Sequence, residues 1–276
     1  MTKATLTFDT KFNPARAAAF SAIAGTLAAA EWKPTTEVEF RDILQKNLSD
    51  KETIINDGWY SPPPFGCAVL FGKERISFKS LRSESFWPSN ENKIDFEDGL
   101  MYAYCSPVHK ETGTIGDISV CLYFGADERI RAHFINAHRA TAALIGRLPE
   151  VSNSFELWDL SRRVFKEHNL ANNIDSVSDP LNNNIGHTFP SLGKIHTDAL
   201  SAEQKSELSR ARKFINGGVP PFEFIDGMQF TIEPQLYSTT DPALPKATLH
   251  YLAQKIPGGY RVCNIVDRLS AKYRLT

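Results

Sequence analysis

The sequence predicts an α+β fold in which helices cover one side of a curved, mostly antiparallel sheet. Two observations lead to this prediction. Segments with the 3.6-residue period of helices fill the beginning and the middle of the chain, and segments with the two-residue period of strands lie between and after them. No repeat and no linker rich in Pro, Gly or Ser divides the 276 residues, so we expect one domain over residues 1–276.

Several segments have the composition and spacing of helices. The first helix is predicted at about residues 13–31, where Pro14 suits the first turn of an Ala-rich run. The segment TTEVEFRDILQKNLSD predicts a second helix, with Thr35 or Thr36 as its N-terminal cap. Further helices are predicted at about residues 127–147, 154–168 and 202–214.

The predicted strands include one unusual segment. CAVLF, from Cys67, is an apolar run typical of a buried strand, and LMYAYCSPV and DISVCLYFG predict a hairpin around a polar loop. MQFTIEPQLY, from Met228, alternates like one continuous strand, although Pro234 forfeits a ladder hydrogen bond. ATLHYLAQKI and GYRVCNIVDRLS are predicted as closing strands, and residues 171–200 as a segment dense in Asn, Ser, Gly and Pro.

The composition argues against several classes of protein. Lys and Arg number 31 and Asp and Glu number 32, so the chain lacks the basic excess of a nucleic-acid-binding domain. No window has the hydropathy of a signal peptide or a membrane span. The four cysteines are scattered and form no CxxC pair. We therefore expect a cytoplasmic protein with neither nucleic acid nor membrane as its partner.

Three polar residues on or beside predicted strands have the chemistry of metal ligands. Asp117 opens DISVCLYFG, His187 follows a glycine in IGHT, and Glu233 lies in the middle of a strand. A carboxylate–imidazole–carboxylate set binds Mn, Fe, Co or Zn at open catalytic sites. Spacing alone also allows another interpretation, in which Asp117 caps a turn, His187 is hydrogen-bonded in a loop and Glu233 pairs with Arg or Lys.

Three motifs in the chain match the pattern of a known family. FTIEP, from Phe230, is similar to a strand in which the Glu ligates metal and Pro follows it. IGHTF, from Ile185, is similar to a glycine–histidine–glycine motif, and GDISVCLYFG is similar to the second metal-aspartate strand. By these motifs the chain resembles the pita-bread family, which contains methionine aminopeptidases, Xaa-Pro aminopeptidases, prolidases and creatinases.

The resemblance covers about residues 12–270 and implies a single pita-bread domain with that core. It implies that Asp117, His187 and Glu233 are metal ligands. His196, in KIHTD, resembles a second histidine that contacts substrate in Xaa-Pro aminopeptidases. Catalytic roles in proton transfer or in stabilising the intermediate would then belong to His187 and His196.

Two positions depart from the family's ligand set. The aspartate that two-metal members carry on the first hairpin strand aligns with Tyr104, and the glutamate of their final strand aligns with Cys263. Without these two carboxylates, the resemblance implies one divalent ion (Zn, Mn or Fe) or none. Cys263 is then either a soft fourth ligand or a small buried residue. Tyr104, in the substrate cleft, fills the vacated volume and can donate its hydroxyl to Asp117 or Glu233.

Two functions follow from the resemblance. The first is a metal-dependent hydrolase of the aminopeptidase type, acting on a peptide or a small substrate with a C–N bond. The alternative is a catalytically inactive pita-bread module that binds a peptide or a small ligand in the cleft. A homodimer is the oligomer to test first, because two-fold dimers are the commonest oligomers and the enzymes of this family often pair.

Overall fold

A computed structural model of the protein describes residues 5–30, 35–56, 58–60, 66–77, 81–174, 179, 181, 183–190 and 192–276. The helices are α1 (Pro14–Ala30), α2 (Glu37–Ser49), α3 (Lys73–Ile76), α4 (Glu128–Gly146), α5 (Ser154–Glu167), α6 (Ala202–Ala211) and α7 (Asp267–Lys272). The strands are β1 (Thr5–Phe8), β2 (Thr35–Thr36), β3 (Ile54–Ile55), β4 (Cys67–Phe71), β5 (Lys93–Ile94), β6 (Leu100–Cys105), β7 (Val108–His109), β8 (Ile118–Tyr123), β9 (Leu170–Asn172), β10 (Thr188–Phe189), β11 (Gln229–Ile232), β12 (Gln235–Ser238), β13 (Ala247–Thr248), β14 (Tyr251–Ile256) and β15 (Gly259–Cys263). None of these helices combines the length and the hydropathy that crossing a bilayer requires.

The first of two compact units contains the described parts of residues 1–10, 127–189 and 212–276. Its main sheet has the strand order β1-β15-β14-β11-β10, and all neighbours are antiparallel except β1 with β15. A second sheet has the order β13-β12-β9. The helices α4 and α5 pack on each other, and α5 packs on β9.

The second unit contains the described parts of residues 11–126 and 190–211. Its largest sheet is antiparallel, with the order β4-β6-β8, and two strand pairs, β2 with β5 and β3 with β7, lie outside that sheet. The helices α1 and α2 pack on each other, and α2 packs on β4.

Glu37, the first residue of α2, is fully buried and ties several elements of the second unit together. Its carboxylate accepts hydrogen bonds from the N–H groups of Phe71 and Ser89, at 2.7 and 3.0 Å, and pairs with Arg75 at 2.6 Å. A buried carboxylate is costly unless charge and hydrogen bonds compensate for lost water. Here both compensate, and α2 is thereby anchored to the end of β4.

The predicted α+β class is confirmed, and most elements lie where the sequence predicts them. α1, α2, α4 and α5 begin and end within two residues of their expected bounds. Thr36 is the cap of α2, because its hydroxyl accepts from the N–H of Glu39 and the Glu39 carboxylate accepts from the N–H of Thr36. CAVLF forms β4, and the predicted hairpin is the antiparallel pair β6 and β8.

The prediction of one strand over MQFTIEPQLY was wrong. β11 ends at Ile232, and β12 begins at Gln235 in a different sheet. Pro234 has no N–H group with which to continue the ladder, so regular pairing is interrupted at Glu233 and Pro234. The antiparallel register is the same on both sides of the interruption, with Ile232 opposite Tyr251 and Gln235 opposite Thr248. The alternation of apolar and polar residues continues across the change, which is why periodicity alone suggested one strand.

Three smaller differences concern the ends of elements. GYRVCNIVDRLS leaves the sheet after Cys263 and continues into helix α7, and the helix predicted at 202–214 ends at Ala211. No local pattern predicted β1, whose place in the sheet depends on parallel pairing with the distant β15. A single domain over residues 1–276 stays a prediction.

His138 on α4 is a buried histidine in a chain of hydrogen-bonding groups. Its Nδ1 lies 3.2 Å from the hydroxyl of Tyr251, which donates to Asp267 Oδ1 at 2.6 Å. Because that hydroxyl has already given its proton to Asp267, Nδ1 is the donor to Tyr251. Burial lowers the pKa of His138 to about 4, and burial raises the pKa of Asp267. His138 is therefore neutral in the folded protein at neutral pH.

Acid should destabilise the fold through His138. The unfolded chain binds a proton at the ordinary pKa of 6.5, whereas the folded protein binds it only at about 4. The contribution of neutral His138 to the free energy of unfolding is therefore complete above pH 6.5. As the pH falls toward 4, the free energy of unfolding decreases by about 2–3 kcal/mol. His138→Asn keeps a donor near Nδ1 but does not titrate. Urea unfolding at about pH 7 and about pH 4.5 should show a smaller acid loss in this variant, and equal losses would contradict the prediction.

Candidate functional site

Gly186 lets the segment before β10 approach β11 closely. Its φ is +152°, and a Cβ at this position would overlap the carbonyl oxygen of Thr231. Two hydrogen bonds form where the two segments come close. The N–H of His187 donates to Thr231 Oγ1 at 2.9 Å, and the N–H of Thr231 donates to the His187 carbonyl at 2.8 Å. The backbone of His187 is thus fixed beside β11.

The imidazole of His187 has different partners at its two nitrogens. Nδ1 lies 3.2 Å from the carbonyl oxygen of Thr188, and because a carbonyl only accepts, Nδ1 carries the proton. Nε2 lies 3.4 Å from Oε1 of Glu233. In the neutral imidazole, Nε2 therefore presents a lone pair to a carboxylate oxygen. This arrangement is favourable only with a proton or another cation between the two atoms.

Glu233 lies where the chain leaves β11 for β12. Its N–H donates to the Ile185 carbonyl at 2.8 Å, and Thr231 Oγ1 lies 3.2 Å from Oε1. The other carboxylate oxygen, Oε2, lies 3.7 Å from Nε2 of His250. The side chain of Glu233 is 21% exposed, so the site is open to solvent. One imidazole thus faces each oxygen of the carboxylate.

His250, which directly precedes β14, was not among the predicted site residues. Ile232 lies opposite Tyr251 in the antiparallel pairing of β11 and β14, and beyond these strands Leu249 donates to the Pro234 carbonyl at 3.1 Å, so His250 is the residue opposite Glu233. Its side chain is 2% exposed. The residue was visible in ATLHYLAQKI, but no rule of spacing within one strand gives the register between two strands.

The separation of His187 and Glu233 suits a shared cation. Two ligands about 2.1 Å from one ion, at a tetrahedral angle, lie about 3.4 Å apart, and the Nε2–Oε1 distance is 3.4 Å. A backbone carbonyl on Nδ1–H is also a common partner of metal-binding histidines. Among the residues that the structure describes, no three His, Cys, Asp or Glu side chains are grouped so as to hold a metal ion. The pair therefore provides two ligands, with His250 at the far oxygen of Glu233.

Asp117 and Tyr104 lie in the second unit, and both are buried. The Tyr104 hydroxyl is hydrogen-bonded to the Asp117 carboxylate. Burial, together with the negative charge of Asp117, raises the pKa of Tyr104 well above its usual value. The fully buried guanidinium of Arg16 donates to the Asp117 carbonyl oxygen. Of the two carboxylates that the sequence offers as partners of Tyr104, the structure pairs it with Asp117.

Cys263 and His196 have surroundings of a different kind. Cys263 is fully buried on β15, which pairs with β14 and not with β11, and its thiol lies 3.9 Å from the Thr10 carbonyl oxygen. These surroundings suit the alternative of a small buried residue. His196 is an exposed residue of the second unit. It lies near Glu111, whose pKa is lowered chiefly by the hydrogen bond and charge of Lys194 and least by His196. The metal-binding role of Cys263 and the catalytic role of His196 stay predictions.

Gly186→Ala should destabilise the first unit by at least about 2 kcal/mol, because a side chain there meets Thr231 and the positive φ is strained. Gly146→Ala is the matched control, since an added Cβ at the end of α4 contacts nothing within 4 Å. We expect the control to be neutral or up to about 1 kcal/mol more stable. Urea unfolding measures both, and equal stabilities of the two variants would contradict the close approach.

Comparisons with known proteins find likeness only at the level of structure. No family model and no curated protein matches the sequence. Among solved structures, X-Pro aminopeptidase from Thermotoga maritima MSB8 is similar with a TM-score of 0.57 and 12% identity, over 91% of this chain and 58% of that chain. X-prolyl aminopeptidase from Caenorhabditis elegans, described as a cytosolic enzyme with a di-nuclear active site, has a TM-score of 0.53 and 12% identity, over 87% of this chain and 34% of that chain.

A third similar structure is the N-terminal domain of a FACT complex subunit from Eremothecium gossypii. Its TM-score is 0.56 and its identity 14%, over 91% of this chain and 56% of that chain. The chain thus spans between about a third and three fifths of the length of these three structures. At such identities the likeness concerns the fold, and the chain has the α+β pita-bread fold that its motifs predict.

Proposed function

We propose that the protein is a metal-dependent hydrolase of the aminopeptidase type, acting on a peptide or a small substrate with a C–N bond. The single observation that carries the proposal is the facing pair of His187 Nε2 and Glu233 Oε1 at 3.4 Å. Two of the similar structures are aminopeptidases, and one of them is described as having a di-nuclear active site. The fold and the pair together support hydrolysis better than binding alone.

The residues present do not fit a two-metal site. Two cations close together need bridging carboxylates to offset their repulsion. This chain has Tyr104 at the first such position, where its hydroxyl is hydrogen-bonded to Asp117. It has Cys263 at the second such position, on the final strand β15. Both substitutions reduce the negative charge available to a second ion, so we propose one divalent cation, such as Zn, Mn or Fe.

One cation fits the donor chemistry of His187 and Glu233, because an imidazole nitrogen and a carboxylate oxygen are ligands that Zn, Mn and Fe accept. When bound, a divalent ion polarises a scissile carbonyl and lowers the pKa of a water molecule. The role of Asp117 as a metal ligand, which the resemblance implies, stays a separate prediction.

The surrounding groups of the chain would position the pair and move protons. The Thr188 carbonyl holds Nδ1–H of His187, which keeps Nε2 directed at Glu233. The Thr231 hydroxyl restrains Oε1 of Glu233. His250 would hold a proton at Nε2, beside Oε2, and return it to a leaving amine. The predicted proton-transfer role of His196 is a separate proposal.

Binding of a divalent cation should depend on Glu233. We expect about one Zn, Mn or Fe(II) ion per chain in calorimetric titration of chelator-treated protein, and about a hundredfold or greater loss of affinity in Glu233→Gln. Glu223→Gln removes a charge from an exposed residue of the same unit and is the control. No binding by the unmodified chain, or equal affinities of the two variants, would contradict the proposed site.

Activity is tested on peptides with an N-terminal X-Pro bond and on small amides, with released amine as the readout. Turnover should require the added cation and should be lost in Glu233→Gln while remaining in Glu223→Gln. Cation binding without turnover on any of these substrates would retain the metal site and exclude the hydrolase.

A second function is supported by the Tyr104–Asp117 hydrogen bond. In this alternative the chain is an inactive module that binds a peptide or a small ligand, and the phenol satisfies the buried carboxylate in place of a metal. The likeness to the FACT complex subunit domain is consistent with this alternative.

The alternative makes a prediction about stability without metal. Tyr104→Phe should lose about 1–3 kcal/mol of unfolding free energy in the presence of a chelator, because Asp117 loses a donor in a buried place. Tyr237→Phe, at a residue that is 38% exposed, is the control and should change little. Equal stabilities of the two variants would remove the observation that favours the inactive module.

A further inference from the structure

A cavity of about 710 Å³ in the first unit is separate from the residues of the candidate site. Its volume lies within the usual range of ligand sites. Helix α5 forms one wall, β9 forms another, and Asn183 and Ile185 lie between them. None of His187, Glu233 and His250 lines it.

The wall formed by α5 is positively charged. Arg162 and Lys166 are four residues apart and therefore share a helix face. The Arg162 guanidinium lies 4.9 Å above the ring of Trp158, which restrains it. Arg163 is paired with Asp159 at 3.2 Å. Within the described ranges, no carboxylate forms an ion pair with Arg162 or Lys166, so these two charges are available to an anionic ligand.

Asn183 adds a hydrogen-bond acceptor to the cavity. Its side-chain oxygen Oδ1 is buried and has no hydrogen-bond partner among the residues that the structure describes. Its backbone carbonyl is used, because Trp158 Nε1 donates to it at 3.0 Å. A buried acceptor without a donor is costly, and a ligand with an N–H group would remove that cost.

The third wall is the edge of a sheet. β9 pairs with β12 and is the last strand in the order β13-β12-β9. Asn173 donates to the Gln235 carbonyl and Thr239 donates to the Asn169 carbonyl, both at 3.0 Å. Because the direction of backbone groups alternates along a strand, the N–H and C=O groups of the partly exposed Asn172 point away from β12. An extended chain can pair with such an edge.

From these three walls we infer that the cavity binds an acidic peptide in an extended conformation. Carboxylates of the peptide pair with Arg162 and Lys166, a backbone N–H donates to Asn183 Oδ1, and the backbone pairs with the edge of β9. A small anion such as phosphate would meet the two cations but could not pair with the strand edge. The inference does not depend on hydrolysis or on a bound cation.

Binding is measured by fluorescence anisotropy with a labelled, end-blocked hexaglutamate peptide and the full chain. Hexaglutamine of the same length tests whether charge is needed, and unlabelled inorganic phosphate and free glutamate serve as competitors. Arg162→Glu and Lys166→Glu should each weaken hexaglutamate binding by about tenfold or more. Arg210→Glu makes the same change of charge on the exposed side of α6 and is the control.

The result expected is saturable binding of hexaglutamate, weaker binding of hexaglutamine, and a loss of hexaglutamate affinity in the two α5 variants that Arg210→Glu does not show. Circular dichroism of each variant separates a lost contact from a lost fold, and Asn183→Leu, which removes the acceptor, should also weaken binding. The inference is overturned if hexaglutamate does not bind or if the α5 variants bind like Arg210→Glu. If phosphate or free glutamate displaces the labelled peptide at the same concentration as unlabelled hexaglutamate, the cavity is a site for small anions. That result would also overturn the inference.

Discussion

The close approach of the Gly186–His187 backbone to Thr231 is the constraint on which the candidate site depends. Only a residue without a Cβ fits at position 186, and this lets His187 and Thr231 exchange hydrogen bonds through both backbone and hydroxyl groups. The strand pairing fixes the backbone, and the imidazole contacts the carbonyl of Thr188 and, edge to face, the rings of Phe189 and Phe214. The position of Nε2 therefore depends both on the main chain and on these two rings.

Two positions differ from the ligand set that the resemblance leads one to expect. In place of two carboxylates the chain has the phenol of Tyr104, which is hydrogen-bonded to Asp117, and the buried thiol of Cys263. A phenol can satisfy a carboxylate by hydrogen bonding, whereas a second carboxylate at the same place would repel it unless a cation were bound. The second unit thus satisfies its buried Asp117 with a neutral donor.

The sequence predicted the elements well where local signals are strong. The capping box of α2, the Ala-rich run of α1 and the apolar strand β4 were all identified, because propensity and periodicity act within a few residues. The motif residues His187 and Glu233 were also identified, and the structure brings them into contact. His250 was not, because its importance comes from lying opposite Glu233 across two strands. β1 was missed for the same reason, because its partner strand is distant in the sequence. The alternation of apolar and polar residues continues past Ile232, so no local pattern showed that β11 ends there.

The change of sheet at Glu233 and Pro234 has a consequence for how this protein can diverge. β11 belongs to the main sheet and β12 to the other, and only these two residues join them. One inserted or deleted residue here would shift a strand by one position and turn its side chains to the opposite face. Substitutions leave both registers intact. The side chain at 233 can therefore change without moving either strand, whereas a change in the length of the connection moves one of them.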